Sequence, residues 1–303
     1  MDRRTFLEQT CLSLGTLAFF RQKAFSGLPF IQDNPWKMRM LRNDVGIFTE
    51  KGGTIAYLLS KKGTVVVDAE FPEQAGHLLG ELKKLSTSPL ELLINTHHHL
   101  DHTAGNIAFK GIVQSVAAHS NSLANQKRVA IAQKNEDQQL YPDLTFTDTW
   151  KYKIGKEHIR AYYFGPAHTN GDSLIHFEHA NIVHMGDLIF NRQWAYIDRS
   201  AGASIKNWIS VLDHALETFD SETQFVFGHA LVPDQVTGNK EDLKAMQDYL
   251  AKLLDFVNGQ IRLGRSKDDV MKEKSIPGVT QWGGNGIEHC LQAAYEELTV
   301  PAT

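Results

Sequence analysis

Apolar and polar positions alternate along this chain in two periods, and the period changes mark the elements. "GTIAYLLS" (53–60) and "GTVVVDA" (63–69) are short apolar runs bounded by glycine, with a Lys-Lys-Gly turn between them. That pattern predicts a β-hairpin. "EQAGHLLGELKKL" (73–85) places Leu78, Leu79, Leu82 and Leu85 at helical spacing, so an amphipathic helix follows. Strands are expected next at 90–96 ("LELLINT") and 112–118 ("IVQSVAA"), then a helix at 120–134. The second half repeats the style. Strands are predicted at 157–164, 172–179, 181–187 and 223–229, and helices at 205–219, 239–263 and 286–298. Each half runs strands, helix, strand. Two such halves bury their apolar faces by stacking sheet on sheet, with the helices outside. The expected fold is therefore an α/β sandwich of two similar halves. No Pro/Gly/Ser-rich linker divides them, so residues 27–303 are expected to form a single domain.

The first 26 residues break the pattern. "MDRRTFLEQTCLSLGTLAFFRQKAFSG" opens with Arg3-Arg4 followed by Phe6 and Leu7. An apolar run from Cys11 to Phe20 and small residues at Ala24 and Ser26 complete it. This resembles a twin-arginine export signal, and a periplasmic or otherwise exported protein is expected. The run is too short for a stable membrane anchor. Removal of this segment leaves Cys290 as the single cysteine, so no internal disulfide is expected.

Composition adds little beyond solubility. Hydrophobic residues make up 42% and charged residues 22%, with a net charge of −4. Nothing in that balance points to nucleic acid, and a small-molecule substrate is the expected partner. Oligomeric state is not legible. Histidine is different: there are 14, and they cluster.

"INTHHHLDHTAGN" (94–106) leaves a predicted strand with three consecutive histidines. Alternate side chains of extended chain share a face. His97 and His99 therefore point one way and His98 the other. Only a start at His97 gives His-x-His-x-Asp-His, using His97, His99, Asp101 and His102. His98 is expected to position the loop or face solvent. Further candidates stand at strand ends beside glycine: His168 in "FGPAHTNGDS", Asp187 in "HMGDLIF" and His229 in "VFGHALVPD". Imidazole and carboxylate without thiolate suit Zn²⁺, and can suit iron or manganese. His97, His99 and His168 can hold one ion, Asp101, His102 and His229 a second, and Asp187 can bridge them. A hydroxide between two such ions is a strong nucleophile at neutral pH.

These residues, in this order, resemble the metallo-β-lactamase fold superfamily, whose signature is His-x-His-x-Asp-His followed by a lone His, a lone Asp and a final His. The resemblance spans essentially all of 27–303. It implies an αββα sandwich with the metals at one edge, and a supporting rather than ligating role for Asp68 in "VVVDA". It also implies a dizinc hydrolase whose metal-bridging hydroxide cleaves an ester, lactone, thioester or β-lactam, with Asp101 orienting the hydroxide and carrying its proton. Asp187 stands where one subclass of β-lactamases has Cys, so the broader hydrolases (lactonases, hydroxyacylglutathione hydrolases, sulfatases) come into view. The tyrosine that the lactonases place soon after the bridging Asp is missing. Two alternatives stay open: an iron-dependent oxygenase like the persulfide dioxygenases, and a metal-binding relative without catalysis. Among the other histidines, His119 is expected to cap or pack a helix and His184 to sit near Asp187. Loops 135–149 and 190–204, the latter with Trp194 and Tyr196, are candidate pocket walls. Cys290 is expected to be inert on an apolar helix face.

Overall fold

Strand β5 (Leu90–Asn95) is apolar on both faces because both faces are covered. Leu92 and Ile94 point into one core and Leu93 into another. The computed structural model describes residues 34–299, so the expected export signal lies outside the described residues. From Trp36 onward the chain packs as one compact unit.

The first sheet has seven strands in sequence order. They are β1 (Lys37–Arg42), β2 (Val45–Thr49), β3 (Ile55–Ser60), β4 (Gly63–Val67), β5, β6 (Val113–His119) and β7 (Leu144–Phe146). The expected hairpin is β3–β4, antiparallel from Ala56–Val67 to Ser60–Gly63. Strands β4 to β7 then run parallel, a geometry that needs crossover helices. α1 (Pro72–Leu85) supplies the first crossover and α3 (Ser120–Gln133) a later one; between them lie the single-turn α2 (Leu100–Thr103) and a 3-10 turn at Ala104–Phe109. Proline in the first turn of α1 costs no hydrogen bond, since that N–H has no helical partner. Leu78, Leu79 and Leu82 bury against Val66, Leu93 and Phe109. Leu85, expected on the same face, is 56% exposed, because the last turn runs past the edge of that core.

The second sheet contains β8 (Thr149–Ile154), β9 (Glu157–Tyr162), β10 (Leu174–Phe177), β11 (Ile182–His184), β13 (Gln224–Val226) and β15 (Thr237–Gly238), in the order β15-β13-β11-β10-β9-β8. Its inner face (Ile159, Ala161, Ile175, Phe177, Val226) meets Val65, Val67, Leu92 and Ile94 of the first sheet in one shared core. Each fully buried aliphatic side chain there is worth roughly 1.5–3 kcal/mol over exposure. The outer face packs on α4 (Ile205–Thr218), α5 (Lys240–Arg262) and α7 (Ile287–Thr299), with Trp208, Leu250 and Leu291 at the centre; the single-turn α6 (Lys267–Val270) precedes α7. Ser204 caps α4 and Asn239 caps α5, the latter with a reciprocal bond from Asn239 N to the Asp242 carboxylate. The layers are thus helix, sheet, sheet, helix, as the two similar halves predict.

The expected strand 223–229 ends early, at Val226. Phe227 and Gly228 turn the chain into a second short strand, β14 (His229–Ala230), which pairs parallel with β12 (Phe190–Asn191). This break carries His229 across to the segment that follows Asp187. Among the described residues no helix is long and apolar enough to cross a membrane.

Candidate functional site

Four chain segments deliver the seven candidate ligands to one edge of the sandwich. The 97–102 turn follows β5, His168 lies in the loop after β9, Asp187 in a 3-10 turn after β11, and His229 opens β14. His97, His99, His168 and Asp187 offer ligand atoms that all lie within 4.8 Å of one another, and Asp101, His102 and His229 form a second such group.

In the first group, His99 Nδ1 is 3.2 Å from His97 Nε2 and 2.9 Å from His168 Nε2. The outward nitrogens explain why these atoms face each other bare. His99 Nε2 donates to Asp198 Oδ2 at 3.0 Å, and His168 Nδ1 donates to the Tyr196 carbonyl at 2.6 Å. Thr96 Oγ1 donates to Asp68 Oδ2 at 2.7 Å, which leaves its oxygen to accept from His97 Nδ1 at 3.1 Å. A neutral imidazole carries one N–H. With each outward nitrogen holding it, three lone pairs converge, an arrangement that repels unless a cation sits among them. The buried residues present therefore fit a metal ion.

Asp187 links the groups. Its Oδ2 lies 3.5 Å from His168 Nε2 and 3.8 Å from His97 Nε2. Its Oδ1 lies 3.0 Å from His102 Nε2 and 3.3 Å from His229 Nε2. Oδ1 is buried and accepts no hydrogen bond of good geometry, so its burial is offset only by the facing His102 and His229 rings or by a cation held among them. In the second group Asp101 Oδ2 is 3.1 Å from His229 Nε2, and the two facing Nε2 atoms of His102 and His229 are 3.4 Å apart.

Charge divides the groups. Burial, with help from neighbouring histidines, pushes His97 well below the ordinary histidine range and His168 down to about 3. At His229 burial pulls the same way, but Asp187 and Asp101 overcome it and raise the ring to about 9. His102, held against burial by Asp187, Asp101 and Asp68, is also raised well above its usual value. Burial opposes ionisation of Asp187 as well, yet His229, His102 and His97 hold it far below the carboxylate range. His97 and His168 are therefore neutral imidazole at pH 7, whereas the second group is a set of paired charges.

Asp68 does not reach the cluster with a free oxygen. It accepts from Thr96 N at 2.8 Å, Thr96 Oγ1 and His102 Nδ1 at 2.8 Å, the supporting role expected of it. It does so from a left-handed backbone, φ 65°. His184 sits behind Asp187: Nε2 donates to the Thr54 carbonyl at 2.8 Å and Nδ1 accepts from Gly186 N at 3.0 Å. Gly186 needs its φ of +50° to make that turn, and a Cβ there would strike Thr96. His119 caps α3 by accepting from Asn121 N. Cys290 is buried between Tyr249 and the Ala195 carbonyl, and its thiol is pushed up to about 12, mainly by burial.

Two expectations need correction, and of the two alternatives for His98 only the positioning one stands. His98 does not face solvent: it is 2% exposed, with Nε2 3.7 Å from Asp198 Oδ2 and Nδ1 unpartnered. Packing under the turn removes it from water. Trp194 is core, 8% exposed against Tyr249, whereas Tyr196 is 49% exposed beside His99. Residues 135–149 do not line the site; the facing wall is the last turns of α3 instead, at Arg128, Val129 and Gln133. Together with Leu100, Phe190, Tyr196 and Ser200 they enclose a groove of about 390 Å³ over Asp101, Asp187 and His229.

Asp198 and Asp172 escaped the sequence reading. Asp198 accepts from His99, from Ser200 Oγ at 2.6 Å and from Ala201 N at 3.1 Å. Against the effect of burial, His99 and Ser200 hold its carboxyl below the usual range. Asp172 ties the His168 loop by accepting from Thr169 N and Oγ1 at 2.7 and 2.8 Å, and burial raises it to about 7. The available signal was local: Asp-x-Ser-Ala and Thr-x-x-Asp are turn-capping patterns.

Comparison with known proteins gives a family and a fold. Residues 50–252 match the model of the metallo-beta-lactamase superfamily. A type 2 metallo-beta-lactamase of Elizabethkingia meningoseptica is 23% identical over 205 residues, 67% of this chain and 79% of that protein. Among solved structures, a metallo-beta-lactamase from Pontibacter korlensis superposes with a TM-score of 0.60 at 20% identity, over 71% of this chain and 99% of its own. A stereoselective inverting sec-alkylsulfatase from Pseudomonas sp. reaches a TM-score of 0.68 at 14% identity, over 86% of this chain and 50% of its own. At such identities the structural likeness is one of fold.

Proposed function

The chain belongs to the metallo-beta-lactamase superfamily, and we propose that it is a hydrolase that holds two zinc ions in this cluster and cleaves a carbonyl substrate: an ester, lactone, thioester or β-lactam. The observation that carries the reading is the two-sided Asp187. One oxygen faces His97 and His168, the other faces His102 and His229. His97, His99 and His168 would hold one ion, and Asp101, His102 and His229 the other. When bound, such ions bring the pKa of a coordinated water toward neutrality and polarise a carbonyl oxygen.

The chain's own groups supply the rest. Asp198, Thr96 and the Tyr196 carbonyl each take an outward N–H and so aim a lone pair inward. Asp68 does the same for His102. Asp101 is part exposed and opens on the groove. There its Oδ2 orients the attacking water and accepts its proton. Phe190 stacks on His229 at 5.3 Å, and with Tyr196 it gives the substrate an apolar wall.

The test is elemental mass spectrometry on protein purified without added metal, followed by assays on β-lactams, lactones and thioesters. A secondary alkyl sulfate joins the panel because of the sulfatase likeness. Close to two zinc per chain, with turnover lost on chelation and in Asp101→Asn, is the expected result. One iron per chain and no turnover across the panel would overturn the reading in favour of oxygen and persulfide chemistry.

A further inference from the structure

We propose that Arg128 anchors an anionic oxygen group of the substrate, a carboxylate or a sulfate, so that the groove selects acidic molecules with an apolar body. This rests on the reading of the groove as the substrate site. Arg128 is the one Lys or Arg that lines it among the described residues. It sits on the last turns of α3, beside Val129, with Gln133 on the same wall.

Its fork is held but not consumed. Arg128 Nε donates to Asn125 Oδ1 at 3.3 Å, and Asn125 Nδ2 in turn donates to Asn170 Oδ1 at 2.8 Å. A guanidinium has five N–H donors, so one tether leaves four. Among the described residues no carboxylate pairs with Arg128: the ion pairs that lysine and arginine make there, from Lys37–Asp234 to Lys274–Glu288, do not involve it.

 The nearby acids are committed elsewhere: Asp198 to His99, Ser200 and Ala201 N, and Asp101 and Asp187 to His229 and His102. An unpaired guanidinium on the rim of a part-apolar groove is suited to a two-oxygen anion, which it grips through paired N–H donors.

The experiment is calorimetric binding of phenylacetate, benzenesulfonate and neutral phenylacetamide to the protein as purified, at low salt. Wild type should bind at least one anion roughly fivefold tighter than the amide, the scale of an exposed ion pair, and the preferred anion tells carboxylate from sulfur oxyanion. Arg128→Gln should erase the preference while the amide moves less than twofold, and Arg128→Lys should restore part of it. A preference that survives in Arg128→Gln places the anion on the metal centre and overturns the proposal. So does the absence of any anion preference in wild type. Binding is read without turnover. An Arg128-dependent preference without hydrolysis of any substrate sinks the hydrolase reading alone, and hydrolysis without that preference sinks the anchor alone.

Discussion

Asp198 holds its Oδ2 3.0 Å from Nε2 of His99, on the far side of that ring from the nitrogen facing His97 and His168. The bond fixes the tautomer, because the proton held at Nε2 leaves Nδ1 as a lone pair. Removing such a partner costs a metal site about 10- to 100-fold in affinity. Asp198→Ala should weaken zinc binding by that factor in competition with a chromophoric chelator, and Asp198→Asn, which keeps an acceptor oxygen, by less. Unchanged affinity in Asp198→Ala would mean that packing alone orients His99.

Asp68 is fully buried and satisfies three donors: Thr96 N, Thr96 Oγ1 and His102 Nδ1. Each buried donor left alone costs about 1–3 kcal/mol. Asp68→Ala should therefore lose at least about 3 kcal/mol on this scale, measured by urea unfolding of chelator-treated protein so that metal linkage is not counted. A loss below about 1 kcal/mol would show that the turn reorganises and that Asp68 is dispensable to it.

The ligand candidates were legible because their chemistry is rare and the segments that carry them follow apolar strands, although Asp101 and His102 sit on the single-turn α2 and His168 in a loop, where strand alternation sets no face. The hairpin, α1 and the long helices were legible from periodicity. Strands β1 and β8 were not: only half of the residues in "KMRMLR" and "TWKYKI" are apolar, and both strands are part exposed at a sheet edge, without the apolar run that marks the covered strands. Asp198 was illegible for another reason. Its partner His99 is 99 residues away in sequence, and nothing local records that contact. Trp194 and Tyr196 show the same limit, because two aromatics two residues apart differ in burial only through what packs over them.

Gly228 makes the bridging geometry possible. A Cβ on it would lie 2.0 Å from Asp187 Oδ1 and 2.8 Å from the Gly186 carbonyl. Gly228→Ala should displace Asp187 and lower zinc stoichiometry below that of wild type, with the circular dichroism of the fold retained. Gly76, in α1, has open space where a Cβ would go. Gly76→Ala should leave zinc content unchanged and stabilise the protein by about 0.4–1 kcal/mol. Full zinc loading of Gly228→Ala would refute the steric argument.

Proton competition should separate the two groups of ligands. His168, lowered to about 3, has no proton to lose above pH 5, so uptake of an ion there should vary little with pH. His229, raised to about 9, and His102, raised well above its usual value, are protonated at pH 7 and must release those protons to bind. Affinity at the second group should therefore climb with pH until about 9. Stability of the chelator-treated protein should move the opposite way. A raised folded-state pKa gives stability that is full below the unfolded value of about 6.5 and is lost as pH rises through the folded value. Zinc titrations monitored by calorimetry at pH 6, 7.5 and 9 test the first half, and melting temperatures over the same range test the second. Two zinc-binding steps with the same pH dependence would show that the groups are not electrostatically distinct.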